Sequence, residues 1–389
     1  MGSWRVCAAS IAVLWVTPIA VAPLAQEKAP AKLPRPQRLD RDIQFRRDPS
    51  TGELREIPRG TAAPSAEAGP PAAVIRTRVS LVEVGSTVFS PDDLPLHGLV
   101  REDFRLFEDD VEQRIAHLDA STAPASIALL IDASPSVFRE LDEMREATRA
   151  LSRNLSPQDE VAVVAFAGGI HLLLPFSRDR GLLERAVASP ELARVANSSE
   201  SNIYLAIYLA ARNLFRERSG RKAMVVLTDG QDSGLGLSWN PASTMPESGA
   251  RASRLTFEDV ARELASRGVE AYVISTQNRP RAMTPAWLAA HRNEMLITPA
   301  ARELGMVHYT LYLAELVRRV GGEIYFLREL GTLGEVYRRI AETLSAQYTL
   351  GYYPSSGLSR PGWRTLRVEL RGHAGARLNY RIGYYVPSE

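Results

Sequence analysis

The chain has 389 residues, long for one domain and suited to two folded units plus a tail. Hydrophobic residues make up 45%, enough for an ordinary buried core, which excludes wholesale disorder. The 47 basic and 45 acidic residues leave a formal charge of +2, and the arginines are scattered, which excludes a chain built to coat nucleic acid or an anionic membrane.

Residues 1–25 read as an export signal. Arg5 supplies a small positive region, an apolar run extends from Val6 to about Leu24, and Ala25 is the expected last residue before cleavage. Left uncleaved, the run would be an anchor, against which Pro18 and its short span both count. No later segment is apolar for long enough to cross a bilayer, so the mature chain is not expected to insert into a membrane. The expected location is exported: periplasmic, secreted or associated with the cell envelope. Cys7 is the only cysteine and lies within the signal, so no disulfide would support the mature chain.

Residues 26–71 are rich in Pro, Ala, Gly and charge and poor in large apolar residues, which predicts a flexible spacer. Over 72–121 the pattern is β throughout, with strands expected at 74–84, 103–107 and 111–118. It changes at Ser126. The run Ser126–Asp132 is apolar until its closing acid, as in a strand buried on both faces of a parallel sheet. Helical spacing over 138–154 follows, then a buried strand at 161–166 and a short edge strand at 171–176. Helices are expected near 179–188 and 202–216, and Met224–Asp229 is another buried strand ending in Asp. The alternation continues to residue 346 through a helix at 257–267, a strand at 269–275, a helix at 311–320, a strand at 323–327 and a helix at 331–346. Residues 235–254 read as a long loop, and 279–308 as an insertion with one short helix. Over 122–347 this is the signature of a doubly wound, Rossmann-like α/β sheet, mostly parallel. From 348 to 389 the pattern is β again, with strands at 348–353, 364–370 and 377–386.

Asp132-x-Ser134-x-Ser136 stands where the first buried strand enters its helix, and Asp229 closes a second such strand. In an open α/β sheet the carboxyl ends of the strands line the binding crevice. If these two strands are neighbours there, the two carboxylates repel each other and a cation offsets the repulsion. Hard oxygen ligands without His or Cys select magnesium first, with manganese or calcium as alternatives, over zinc. Taken alone, Asp-x-Ser-x-Ser is mostly a helix cap.

Together these residues resemble the metal-ion-dependent adhesion site of von Willebrand factor type A domains. Asp132, Ser134 and Ser136 match its first motif, and Leu227-Thr228-Asp229-Gly230 matches the motif that carries its second acid. The family's further hydroxyl falls on Ser201, with Ser198 and Ser199 as alternatives, since the usual Gly-Gly-Thr is replaced. The resemblance therefore implies a divalent cation held by Asp132, Ser134, Ser136, Ser201 and Asp229. The flanks resemble a bacterial subgroup common in Acidobacteria, through Gly98–Asp109 before the domain and Gln347–Pro354 after it. That likeness implies a small β-sandwich built from both flanks.

The implied role is a non-enzymatic, metal-dependent protein-binding module, adhesive or scaffolding, in which an acidic side chain of a partner protein completes the cation's shell. Two alternatives remain: a structural subunit of an envelope assembly with a purely stabilising metal, and a metal-dependent hydrolase. No general base stands beside the motif, and neither a Gly-x-Ser-x-Gly elbow nor a phosphate loop occurs. His291-x-x-Glu294 lacks the second His of a zinc protease, and Asp232 and Ser233 read as rim residues.

Overall fold

The alternating runs over 125–345 supply six strands of one seven-stranded sheet with helices on both faces, and the β-rich flanks form two four-stranded sheets. The computed structural model describes residues 31–41, 43–48, 54–58, 81–120, 123–135, 137, 141–196, 201–232, 255–281, 283–291, 296, 308–327, 332–358 and 360–386. The expected signal at 1–25 and loop at 235–254 lie outside them.

Three strands come first: β1 (Gln37–Arg38), β2 (Ile43–Arg47) and β3 (Leu54–Pro58). At 37–38, 43–47 and 54–58 they correct the expectation of a flexible spacer over 26–71, of which 26–30, 42, 49–53 and 59–71 lie outside the described residues. Composition averages over a segment, whereas a few well-placed side chains can hold it. Leu39 and Leu54 are buried, and the Phe45 ring meets Tyr208 edge-on at 5.7 Å. Arg47 forms a two-pronged ion pair with the nearly buried Asp259, its two bonds 3.0 and 2.6 Å long.

The N-terminal flank gives β4 (Val82–Phe89), β5 (Phe104–Glu108), β6 (Val111–Gln113) and β7 (Ile115–Ala120), with one 3-10 turn at Arg101–Asp103. The single strand expected over 111–118 is two strands in different sheets, because the chain crosses between layers at Arg114. Both Asp109 and Asp110 take positive φ, the geometry of a tight turn between β5 and β6.

The α/β domain follows: β8 (Ala125–Asp132), α1 (Leu141–Asn154), β9 (Glu160–Phe166), β10 (Ile170–Ser177), α2 (Arg180–Val187), α3 (Pro190–Val195), α4 (Ile203–Leu214) and β11 (Arg221–Thr228). It continues through α5 (Phe257–Arg267), β12 (Glu270–Ser275), α6 (Pro285–Ala290), α7 (His308–Val320), β13 (Gly322–Phe326) and α8 (Leu333–Ser345). The strand order is β1-β10-β9-β8-β11-β12-β13, parallel from β9 to β13. β10 turns back antiparallel on β9, and β1 pairs antiparallel outside it. The strand at 170–177 is therefore covered by β1 and is not the edge expected for it.

Alternate residues of β8 feed two cores, as a strand buried on both faces requires. Ile127, Leu129 and Ile131 pack with α1, α2 and α8, whereas Ala128 and Leu130 pack with α4, α5 and α7.

The C-terminal flank adds β14 (Tyr348–Tyr352), β15 (Gly362–Leu370), β16 (Arg377–Tyr380) and β17 (Gly383–Val386). The two antiparallel sheets, β16-β4-β14-β7 and β17-β15-β5-β6, each mix strands from both flanks. They share one core that includes Val84, Leu106, Leu350 and Val368, so the flanks make a β-sandwich. The stretch expected as one strand over 377–386 breaks at Arg381–Ile382, where the chain changes sheets.

Candidate metal-binding site

The site lies where the sheet order reverses. β8 leads to β9 on one side, and β11 pairs parallel with β8 on the other. That is a topological switch point, where loops leaving neighbouring strands diverge and open a crevice. Ile131 pairs with Leu227, so Asp132 and Thr228 follow at the same level. Each acid then turns its own chain in the same way. Asp132 Oδ1 accepts the Ser134 N–H at 3.0 Å, and Asp229 Oδ1 accepts the Gln231 N–H at 2.9 Å. Both are side-chain turns that Asp favours because its short carboxylate reaches the backbone two residues on. Gly230 takes φ +85°, open to a residue without Cβ, and its N–H donates to Thr228 Oγ1 at 3.0 Å.

Hydroxyls converge on Asp132 from three segments. Thr228 Oγ1 donates to Asp132 Oδ2 at 2.7 Å, and Ser201 Oγ, just before α4, donates to the same oxygen at 3.2 Å. The Ser134 hydroxyl also bonds the carboxylate. Asp132 is fully buried, and Ser134, Ser201 and Asp229 are 5%, 6% and 4% exposed. Burial pushes the Asp132 carboxyl above the usual carboxylate range, and the nearby Asp229 charge adds to the rise against the pull of the hydroxyls.

Residues 126–292 match the family model for the von Willebrand factor type A domain. The chain carries a von Willebrand factor type A domain. Among solved structures the chain is similar to an aerotolerance-related membrane protein from Bacteroides fragilis, at 17% identity over 57% of this chain and 98% of that one, with a TM-score of 0.36. It is also similar to the vWF domain of the type V pili tip protein Mfa5 from Porphyromonas gingivalis, at 12% identity over 58% and 96%, TM-score 0.37. A third is a von Willebrand factor type A protein from Catenulispora acidiphila, at 12% identity over 80% and 74%, TM-score 0.38. No curated protein matches the chain. The narrower likeness to the bacterial subgroup rests on sequence motifs alone.

The von Willebrand factor type A domain brings together Asp132, Ser134, Ser201 and Asp229 of the five expected ligands; Ser136 lies outside the described residues, as do Ser198, Ser199 and Ser233. Sequence reasoning passed over Thr228. Its signal was the residue before the second acid, and only the β8–β11 register makes it a neighbour of Asp132. Asp232 is tied to the first turn of α4, its Oδ1 accepting the Tyr204 N–H at 3.4 Å. The residues present fit a hard divalent cation. Two carboxylates lie buried within each other's field, and the oxygens around them are hydroxyls. Among the described residues no group of three or more His, Cys, Asp or Glu is placed to hold a metal ion. Among those residues also, no helix is long and apolar enough to cross a membrane.

Proposed function

We propose that this von Willebrand factor type A domain is an exported, metal-dependent protein-binding module. Asp132, Ser134, Ser136, Ser201 and Asp229 hold a divalent cation, magnesium before manganese or calcium. Thr228 orients Asp132, and an acidic side chain of a partner protein fills the open coordination position. The observation that carries this reading is the Asp132 carboxylate, buried beside Asp229 with the Ser201 and Thr228 hydroxyls aimed at one of its oxygens. Two acids buried so close are costly without a cation between them. The charged-then-apolar N-terminus supports export.

Calorimetry with magnesium chloride, and capture from envelope extracts with and without chelator, test the reading. Wild type should bind magnesium and capture its partner only without chelator, and Asp132→Ala should do neither. Equal capture by the two proteins would sink it. The near-complete burial of the site favours a second reading, in which the ion only stiffens the loops between β8 and β11. Under that reading chelator lowers the melting temperature and leaves partner capture intact.

A further inference from the structure

The flanks leave one edge of their sandwich open. β7 pairs with β14 on one side, and among the described residues no strand pairs with its other side. An edge strand of six residues is a template for another chain, and proteins blunt such edges with Lys, Pro or very short strands. Other edges here are short or covered. β1 and β6 have two and three residues, Asn379 of β16 donates to the Gly322 carbonyl at 2.5 Å, and β17 lies against α5, with Arg262 over the Tyr385 ring. β7 holds no Lys, Arg or Pro, and its bulge against β14 falls near its start, at Ala116.

Two exposed polar side chains stand on β7 with no partner among the described residues: His117 and Asp119. Leu118 between them packs toward the sandwich core, so both point to the outer face of the sheet. Gly351 of β14 lies opposite His117, and a Cβ there would touch His117 Cδ2 at 3.4 Å. That edge of the imidazole therefore faces β14, and the Nδ1 edge faces the open side of β7.

Antiparallel pairing of β7 with the β7 of a second copy must keep inward residues opposite inward ones, because side chains alternate between faces. Centred on Leu118, it sets Leu118 against Leu118 and each His117 against the other copy's Asp119. The two-fold axis thus makes two imidazole–carboxylate contacts. Centring on Asp119 would set two carboxylates opposite each other, and centring on His117 would carry the pairing into the bulge.

The α/β domain leaves β7 from its Ala120 end, since β8 begins at Ala125. Antiparallel pairing therefore carries the two α/β domains to opposite ends of the joined sheet. The parallel strands start beside the sandwich, where Asn379 meets Gly322, so Asp132 at the far end of β8 is turned away from it.

We propose that β7 is a homodimer interface. Two copies join edge to edge, antiparallel about Leu118, so that their four-stranded sheets make one of eight strands. The pairing itself needs no metal. Resting on the function proposed above, it makes the module bivalent, with one metal site at each end, so that two weak contacts act together.

A disulfide trap tests the register. A two-fold axis at Leu118 brings its two Cα atoms to about 4.5–5.5 Å, within disulfide range. The full chain carrying Cys7→Ser and Leu118→Cys should oxidise to a covalent dimer. Its yield should be about fivefold or more that of a Cys7→Ser, Leu94→Cys chain, whose residue 94 is exposed but far from the proposed axis. Equal yields would overturn the proposal. Sedimentation equilibrium checks the pairing without added cysteines. His117→Glu sets two carboxylates opposite each other and should weaken dimerisation about tenfold, and exchanging the two residues, His117→Asp with Asp119→His, should restore it. Failure of the exchange to restore the dimer, or a dimer unmoved by His117→Glu, would count against it equally. A wild-type chain still monomeric at about 1 mM would leave the edge to a strand of another protein and sink the proposal. Asp132→Ala should dimerise as wild type does, so loss of metal binding and loss of pairing are told apart.

Discussion

Thr228 Oγ1 donates a 2.7 Å hydrogen bond to Asp132 Oδ2, joining the ends of the two strands that carry the candidate metal site. Thr228 is fully buried and also accepts the Gly230 N–H, so one hydroxyl holds both a carboxylate and the turn beside it. Thr228→Val keeps the shape and removes both bonds. The variant should lose about 2 kcal/mol in denaturant unfolding, the scale of a hydrogen bond to a charged group. Under the proposed function its magnesium affinity should fall roughly tenfold or more, as for other groups that orient a ligand. Thr228→Ser should retain most of both.

Asp132 separates metal binding from folding. Its folded carboxyl lies above the ordinary range because of burial and then the Asp229 charge, so its ionised form weakens the metal-free fold as pH rises through that range. Asp132→Asn removes this penalty and, without metal at neutral pH, should be at least as stable as wild type. Magnesium at a hundredfold over its dissociation constant should stabilise wild type by about 2.7 kcal/mol and the variant not at all. Thermal unfolding with magnesium and with chelator measures both, and an equal gain in the two proteins would remove Asp132 from the site.

The N-terminal strands are held by charge as well as by apolar contact. The Arg47 and Asp259 side chains are 15% and 4% exposed, and Arg47→Ala leaves the acid buried without its partner. The expected cost is about 3 kcal/mol, reduced to the extent that the Thr256 backbone and hydroxyl still donate to Asp259. Chemical denaturation would show the loss. Faster proteolysis within 31–58 should accompany it.

Glu270 should make stability fall with pH. Its folded carboxyl, raised by burial to about 7, sits above the ordinary value of 4.5, so the folded state holds the proton more tightly than the unfolded chain. That contribution is complete below the unfolded value and is lost as pH rises through the folded one. Wild type should lose up to about 3 kcal/mol across this window through Glu270 alone. Glu270→Gln should flatten the slope and be the more stable protein at pH 8. A steeper slope in the variant would contradict the assignment.

Much of the α/β domain was legible because local pattern encodes it. The apolar run from Ser126 to Asp132 and the helical spacing through Met144, Ala147 and Leu151 each report burial within a few residues of themselves. The corners at Arg114 and Arg381 were not legible, since a strand that changes sheets keeps its period of two on both sides of the bend. The strands at 37–58 were hidden for another reason: Leu39, Phe45 and Arg47 are too few to alter the composition of a Pro- and Ala-rich stretch.

The order of strands and helices, and the placing of an acid at the end of two buried strands, follow from the amino-acid sequence alone, because both depend on neighbours along the chain. That β8 lies against β11 and that Thr228 and Ser201 reach Asp132 were decided by tertiary structure. Each of those contacts joins distant segments, and long-range pairing is set by how whole elements pack, which no local period records.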